Sequence, residues 1–154
     1  MNASVRDFLT AHDVAFKVHT HAPLRSFEDG KATLPFDPDA MVKGLVFRRP
    51  MGSYAIVALR GADRADYRKV AAALGVRRDE LTMASAEQVA TDLGMQPGGV
   101  TPLPLGADVF LDRAVLELPT VYCGSGRNDA TLEIAGADLV RVSAGRIGDF
   151  ARRT

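Results

Sequence analysis

The chain of 154 residues is long enough for one domain with a sizeable core and short for two. Lys plus Arg and Asp plus Glu both number 19, so the formal net charge is zero; no global attraction to nucleic acid follows, and any such contact must use a local patch. The single cysteine, Cys123, excludes an internal disulfide and a cysteine-built zinc site, and no apolar run approaches the roughly 20 residues of a membrane span.

"MNASVRDFLT" lacks the basic start and apolar run of a secretory signal, so the expected compartment is the cytoplasm. "SVRDFLTAHD" predicts a short helix capped by Ser4, with Val5, Phe8 and Leu9 in one stripe. "VAFKVHTH" alternates like a strand, and Ser26 before acidic residues predicts a helix over 26–33. "AMVKGLVFRR" and "SYAIVALRG" are β-rich runs joined by a turn at Gly52, a hairpin signature. "ADYRKVAAALG" reads as a helix started by Asp66 and stopped by Gly75, and "SAEQVATDLG" as another with a Ser85–Gln88 capping box and Gly94 as its end. "DVFLD", "TVYCG" and "ATLEI" are short strand candidates, "AGADLVRV" follows them, and "GRIGDFARR" predicts a closing short helix. Hairpins and helices mix without regular alternation, which predicts a single α+β domain over residues 1–154 with a largely antiparallel or mixed sheet.

"QPGGVTPLPLG" (96–106) stands apart. Pro102 and Pro104 exclude a helix, while Gly98 and Gly99 bring no side chain, so another backbone or a ligand can come close. Rigid and bare describes both a binding loop and an ordinary wide turn. Lys43 shares a strand face with Leu45 and Phe47. It is either a strand-end lysine whose head reaches water or a partly desolvated cation held for an anionic or carbonyl ligand. His19 and His21 have no third ligand at metal spacing, and the Gly-x-Gly of "CGSGRND" fails as a dinucleotide signature, so neither metal nor cofactor is expected. Asn128 and Asp129 belong to a polar turn and either point into a cleft or are merely solvated. Cys123 reads as a small core residue. Fifteen of the 19 basic residues are arginines, and the double steps Arg48-Arg49, Arg77-Arg78 and Arg152-Arg153 are solvated surface unless they converge on a phosphate-contacting rim.

"VKGLVF", "ADYRKVAAALG", "LTMASAEQVATDLGMQPGGVTPLPLG", "VFLD" and "VYCGSGRNDATLEIAGADLV", in that order, resemble the YbaK/EbsC/ProX family, free-standing relatives of the editing domain of bacterial prolyl-tRNA synthetase. The likeness covers the chain nearly end to end, with "IGDFARR" matching the family's last helix. It rests chiefly on Lys43 and on the Gly-x-x-x-Pro loop, Gly98 to Pro102. The resemblance implies a compact, mixed-sheet, barrel-like core surrounded by short helices. It implies hydrolysis in trans of the ester joining a wrong small amino acid (alanine, cysteine, serine or threonine) to tRNA, without metal. Lys43 would hold the substrate carbonyl or terminal phosphate, the amides around Gly98 and Gly99 the oxyanion, and water would attack, assisted or not by a ribose hydroxyl. Thr101 and Pro102 join Gly98 as substrate-loop residues, and His21 and Ser26 fall on a partly matched "H-P…T/S-x-E-E" stretch. Asn128 and Asp129 belong to "NDAT", a turn that varies in the family and leaves the amino acid open. Arg48, Arg49, Arg77 and Arg78 are candidate tRNA contacts. Expected partners are mischarged tRNA and a synthetase or elongation factor that delivers it, but no membrane; the different-class alternative is a non-catalytic tRNA- or synthetase-associated module.

Overall fold

The computed structural model describes residues 1–153. Five helices surround two sheets. The helices are α1 (Ala3–Ala11), α2 (Phe27–Thr33), α3 (Tyr67–Leu74), α4 (Ala86–Leu93) and α5 (Gly136–Ser143). A three-stranded antiparallel sheet has the order β1 (Phe16–Thr20), β7 (Ala130–Ala135), β6 (Thr120–Gly124). A five-stranded mixed sheet has the order β4 (Thr82–Met83), β2 (Val42–Arg48), β3 (Tyr54–Arg60), β5 (Asp108–Asp112), β8 (Arg146–Gly148). β2 and β3 form the predicted antiparallel hairpin, in register from Val42↔Arg60 to Arg48↔Tyr54, and Gly52 takes φ +91° in its turn. β5 and β8 then add in parallel.

The strand runs read as apolar on both faces do lie between two layers. Every residue of β3 from Tyr54 to Leu59 is buried. On one side Phe47, Val57, Leu59 and Phe110 pack against Val70 of α3 and against Phe150. Val46, Tyr54 and Ile56 pack against Val89 of α4 and Met95. A third cluster joins the sheets, with Val5 and Leu9 of α1 and Leu139 of α5 meeting Val42, Ala58, Leu111 and Leu132. Burial of such side chains, each contributing about 1.5–3 kcal/mol, drives the assembly.

Three sequence expectations are corrected. The sheets remain open and do not close into a barrel; beyond their separate ladders they touch through one bridge, Met41↔Tyr122. The chain's end is not a helix. Residues 146–148 form β8, and Ala151 bridges Ala65. The physical reason is the buried Asp112, whose carboxylate accepts the N–H groups of Ala114 (3.1 Å), Phe150 (2.8 Å) and Ala151 (3.2 Å) and the Arg153 guanidinium (2.9 Å). Those bonds hold the tail extended where a helix would have satisfied its N–H groups internally. Finally, α1 is capped by Asn2, whose side chain accepts the Ser4 N–H, rather than by Ser4. The Ser26, Asp66 and Ser85 caps and the left-handed Gly75 and Gly94 stops are as read.

Candidate functional site

The proline–glycine run folds into a turn. The Gly99 N–H donates to the Gln96 carbonyl (2.9 Å), with Pro97 in the second position and Gly98 at φ +85° in the third, the arrangement of a type II turn. Both glycines are also demanded by crowding. A Cβ on Gly98 would stand 2.8 Å from the Leu24 carbonyl oxygen, and one on Gly99 would stand 2.2 Å from that of Arg127. The turn is sewn to two neighbouring loops. Gln96 N–H donates to the Gly126 carbonyl (2.9 Å), Gly126 N–H to the Gly99 carbonyl (2.7 Å), and Asn128 N–H to Gln96 Oε1 (2.9 Å). Leu24 N–H in turn donates to the Asn128 carbonyl (2.8 Å). Gln96, which sequence reasoning passed over, is the knot.

Across an open cleft of about 530 Å³ from Gly98 stands Lys43. Its strand row places Leu45 and Phe47 against the α3 layer, so its stem is apolar-packed, yet its head does not run free into water. Nζ donates to the Asp63 carbonyl and lies 3.5 Å from that of Gly61, and it sits 5.8 Å from the centre of the Phe27 ring. Desolvation by burial pulls the Lys43 pKa below the ordinary lysine value; Glu28 and Asp63 oppose that shift and Lys31 and Arg64 assist it. Lys31, also passed over in the sequence, shares the Gly61 carbonyl (3.3 Å) while pairing with Glu28 (3.3 Å). Helix α2 thus brings Phe27 and a second cation over the cleft. Ser26 before an acidic turn was the sequence signal for that helix, but nothing local shows which way Phe27 points.

β2 is open along part of its outer edge. Val46 C=O accepts from Ala84 N–H on that side, whereas Met41 C=O and Arg49 N–H bond toward the β3 side. Backbone direction alternates along a strand, so the N–H and C=O of Gly44 point outward with Val46, into the cleft. Among the described residues neither they nor the Gly98 N–H has a hydrogen-bond partner. The cleft therefore presents an ammonium and two backbone N–H groups. A second, apolar cavity of about 320 Å³ opens from it, sharing Phe27, Val42, Gly98 and Gly124 and lined further by Met41 and Cys123. Burial pushes the Cys123 thiol up to about 12, which keeps it protonated and no nucleophile.

The other sequence candidates lie around the cleft rather than in it. Gly99 spends its N–H in the turn, so of the glycine pair only Gly98 keeps an amide for a ligand. Thr101 and Pro102 are buried behind the loop and line neither cavity. Ser26 Oγ accepts the Asp29 N–H as a helix cap (3.2 Å). His21 Nε2 meets Thr131 Oγ1 (2.8 Å), and Thr131 lines the apolar cavity, so His21 reaches it at one remove. Asp129 accepts the His21 N–H on its carbonyl, and its side chain pairs with Arg127, whose hydrogen bond lowers the carboxyl pKa. Asn128 contributes its backbone to the sewn loops. Of the arginines, Arg49 is tied to Asp108 (3.0 Å) and Arg77 to Asp79 and Glu80. Arg48 is exposed and paired across β4 with Thr82, and Arg78 lies over the Tyr67 ring (4.9 Å). Arg153 is tied to Asp112 and Asp149. Among the described residues no three His, Cys, Asp or Glu side chains gather to hold a metal, and no helix is long and apolar enough to cross a membrane.

A family model described as the aminoacyl-tRNA editing domain matches residues 21–142. A proline–tRNA ligase from Bacillus pumilus (strain SAFR-032) is 29% identical over 115 residues, which is 73% of this chain and 20% of the ligase. The chain thus spans about a fifth of that curated relative. Among solved structures, the hypothetical protein APE2540 superposes with a TM-score of 0.83 at 24% identity, covering 96% of this chain and 99% of its own. A candidate trans-editing enzyme for prolyl tRNA synthetase superposes with a TM-score of 0.82 at 22% identity, covering 99% of both chains. At these identities the two structures share the fold.

Proposed function

The chain belongs to the aminoacyl-tRNA editing domain family, and we propose that it acts in trans as a deacylase, hydrolysing the ester between a wrongly attached small amino acid and its tRNA. The observation that carries this reading is the half-buried Lys43 ammonium facing the Gly98 turn across a cleft that continues into a closed-in apolar cavity. An aminoacyl ester is already reactive, so orientation and charge stabilisation are sufficient help. Water adds to the ester carbonyl carbon, and the oxyanion that forms is met by Lys43 Nζ and the N–H groups of Gly98 and Gly44. Collapse of the tetrahedral species breaks the bond to the ribose oxygen, which takes up a proton and leaves as the free hydroxyl of the tRNA, with the amino acid as the other product. No side-chain nucleophile enters, in keeping with a protonated, buried Cys123.

The apolar cavity receives the amino-acid side chain. Phe27, Met41 and Cys123 wall it, so bulky groups clash, whereas a pocket of this kind discriminates weakly against a smaller guest, about 1–3 kcal/mol per missing methylene. Protection of correctly charged tRNA then rests on pocket size and on tRNA or partner contacts, for which a synthetase is the natural associate. The test is the initial deacylation rate on a panel of tRNAs carrying alanyl, cysteinyl, seryl, threonyl, leucyl and phenylalanyl groups. Small groups are expected to be removed and bulky ones spared. Lys43→Ala is expected to lower the best rate about a hundredfold with an unchanged melting temperature. Near wild-type turnover in that variant, or equal rates on bulky and small groups, would overturn the mechanism.

A further inference from the structure

The cleft does not end at Leu45. A second groove of about 500 Å³ continues from it along β2, sharing Gly44, Leu45 and Val100 with the cleft and bounded further by Met83, Ala86 and Pro97. Its lining is entirely apolar, and Met83 stands 45% exposed there, an unusual cost for a large thioether unless something covers it. Three features describe the occupant. The groove is open and short, bounded by α4 on one side and by the proline–glycine turn on the other, which suits a flat ring better than a run of peptide. The unpartnered N–H and C=O of Gly44 sit at its junction with the cleft, one donor and one acceptor for the polar edge of such a ring. Arg48 shares the strand face of Gly44 and Val46 and is exposed about 13 Å beyond Gly44, with Arg78 close by over Tyr67, so the far end is cationic.

We infer that this groove holds the terminal nucleobase of the aminoacylated strand, stacked on the Met83 thioether and Pro97, with Gly44 contacting its edge and the preceding phosphates running toward Arg48. The inference rests on the ester-hydrolysis reading for its starting point, since a base joined to the ribose that carries the ester has to lie next to the Lys43 cleft. Met83 is then a positioning residue: it fixes the ribose, and through it the ester, against Lys43 and Gly98. Sulfur and polarisable methylene surfaces serve flat π systems well and tolerate their shape.

The test uses a short single-stranded RNA ending in adenosine and the same RNA ending in an abasic ribose, titrated into protein carrying 13C-labelled methionine methyls. The Met83 methyl is expected to shift saturably with the first RNA, while the Met51 methyl, 88% exposed at the hairpin tip, stays in place. Affinity is expected to fall at least about tenfold for the abasic RNA. Met83→Glu, at an exposed position, is expected to keep the fold, abolish the difference between the two RNAs and raise KM for aminoacyl-tRNA. A Met83 methyl that does not move, equal affinity for both RNAs, or a Met83 shift that depends on protein concentration without RNA, as a second copy in the groove would give, overturns the proposal. Hydrolysis of aminoacyl-tRNA by the wild type with Met83 unmoved refutes the groove alone; a base-dependent shift without hydrolysis refutes the ester reading and leaves the groove.

Discussion

Replacing Gly99 by alanine measures how much of the loop's architecture depends on bare backbone. The new Cβ would lie 2.2 Å from the Arg127 oxygen, 2.3 Å from its carbonyl carbon and 2.9 Å from the Asn128 nitrogen, all backbone atoms that no rotamer change can move. The turn must therefore part from the 125–129 loop. That parting costs overpacking strain of about 1–3 kcal/mol and endangers the Gly126-to-Gly99 and Gln96-to-Gly126 hydrogen bonds, each worth about 1 kcal/mol. A total of about 2–4 kcal/mol follows, or roughly 4–16 °C in melting temperature for a chain of this size. Gly52→Ala is the control: φ there is +91° but nothing lies within 4 Å of the added carbon, so only the backbone strain of about 1–2 kcal/mol is felt. Gly98→Ala combines both effects, at φ +85° and 2.8 Å from the Leu24 oxygen, and should fall between the other two or join Gly99→Ala. The assay is thermal and urea unfolding of the three variants, with deacylation rate per folded molecule alongside. If Gly99→Ala proves no less stable than Gly52→Ala, the close approach of the two loops does not hold the turn, and the reasoning fails.

Asp112→Asn should cost on the order of 3–5 kcal/mol, since Arg153 loses the charge it pairs with and one of the buried N–H groups faces an amide donor. Burial opposes the Asp112 charge, but hydrogen bonds from Arg153, Phe150 and Ala114 outweigh it and lower the pKa. The contribution is therefore present above the ordinary aspartate value and lost as pH falls through the lowered folded one, so the gap in urea midpoint between wild type and variant should close in strong acid. For activity, Lys43 must be protonated, and its lowered pKa places the alkaline loss of enzyme-dependent deacylation below the ordinary lysine range; a plateau that persists past that range would remove the ammonium from the mechanism. Arg48→Ala and Arg78→Ala together should weaken aminoacyl-tRNA binding and flatten its salt dependence, whereas Arg49→Ala and Arg77→Ala, whose guanidiniums are already paired with acids, should do less; equal effects would refute that ranking.

Local signals determined much of this protein. The Asp66, Ser26 and Ser85 caps, the Gly75 and Gly94 stops and the Gly52 hairpin are fixed by interactions within a few residues, and the structure has them where the sequence puts them. Lys43 was legible for a similar reason: strand alternation alone set a cation at the end of an apolar row. Nothing local announced that its head would be drawn onto the Asp63 and Gly61 carbonyls beneath Phe27, because those groups come from the end of β3 and from α2. The tail shows the same limit. "IGDFARR" has helical residues, but Asp112, 38 positions before Phe150, claims its N–H groups. The proline–glycine loop was read as either a turn or a place of close approach, and it is both. Pro97 and Gly98 dictate the turn through their own backbone preferences. That Gly99 must clear the Arg127 carbonyl, that Gln96 ties three loops together, and that Gly44 is left with its N–H and C=O facing a cleft are facts of packing between segments far apart in the chain, and only the folded arrangement decides them.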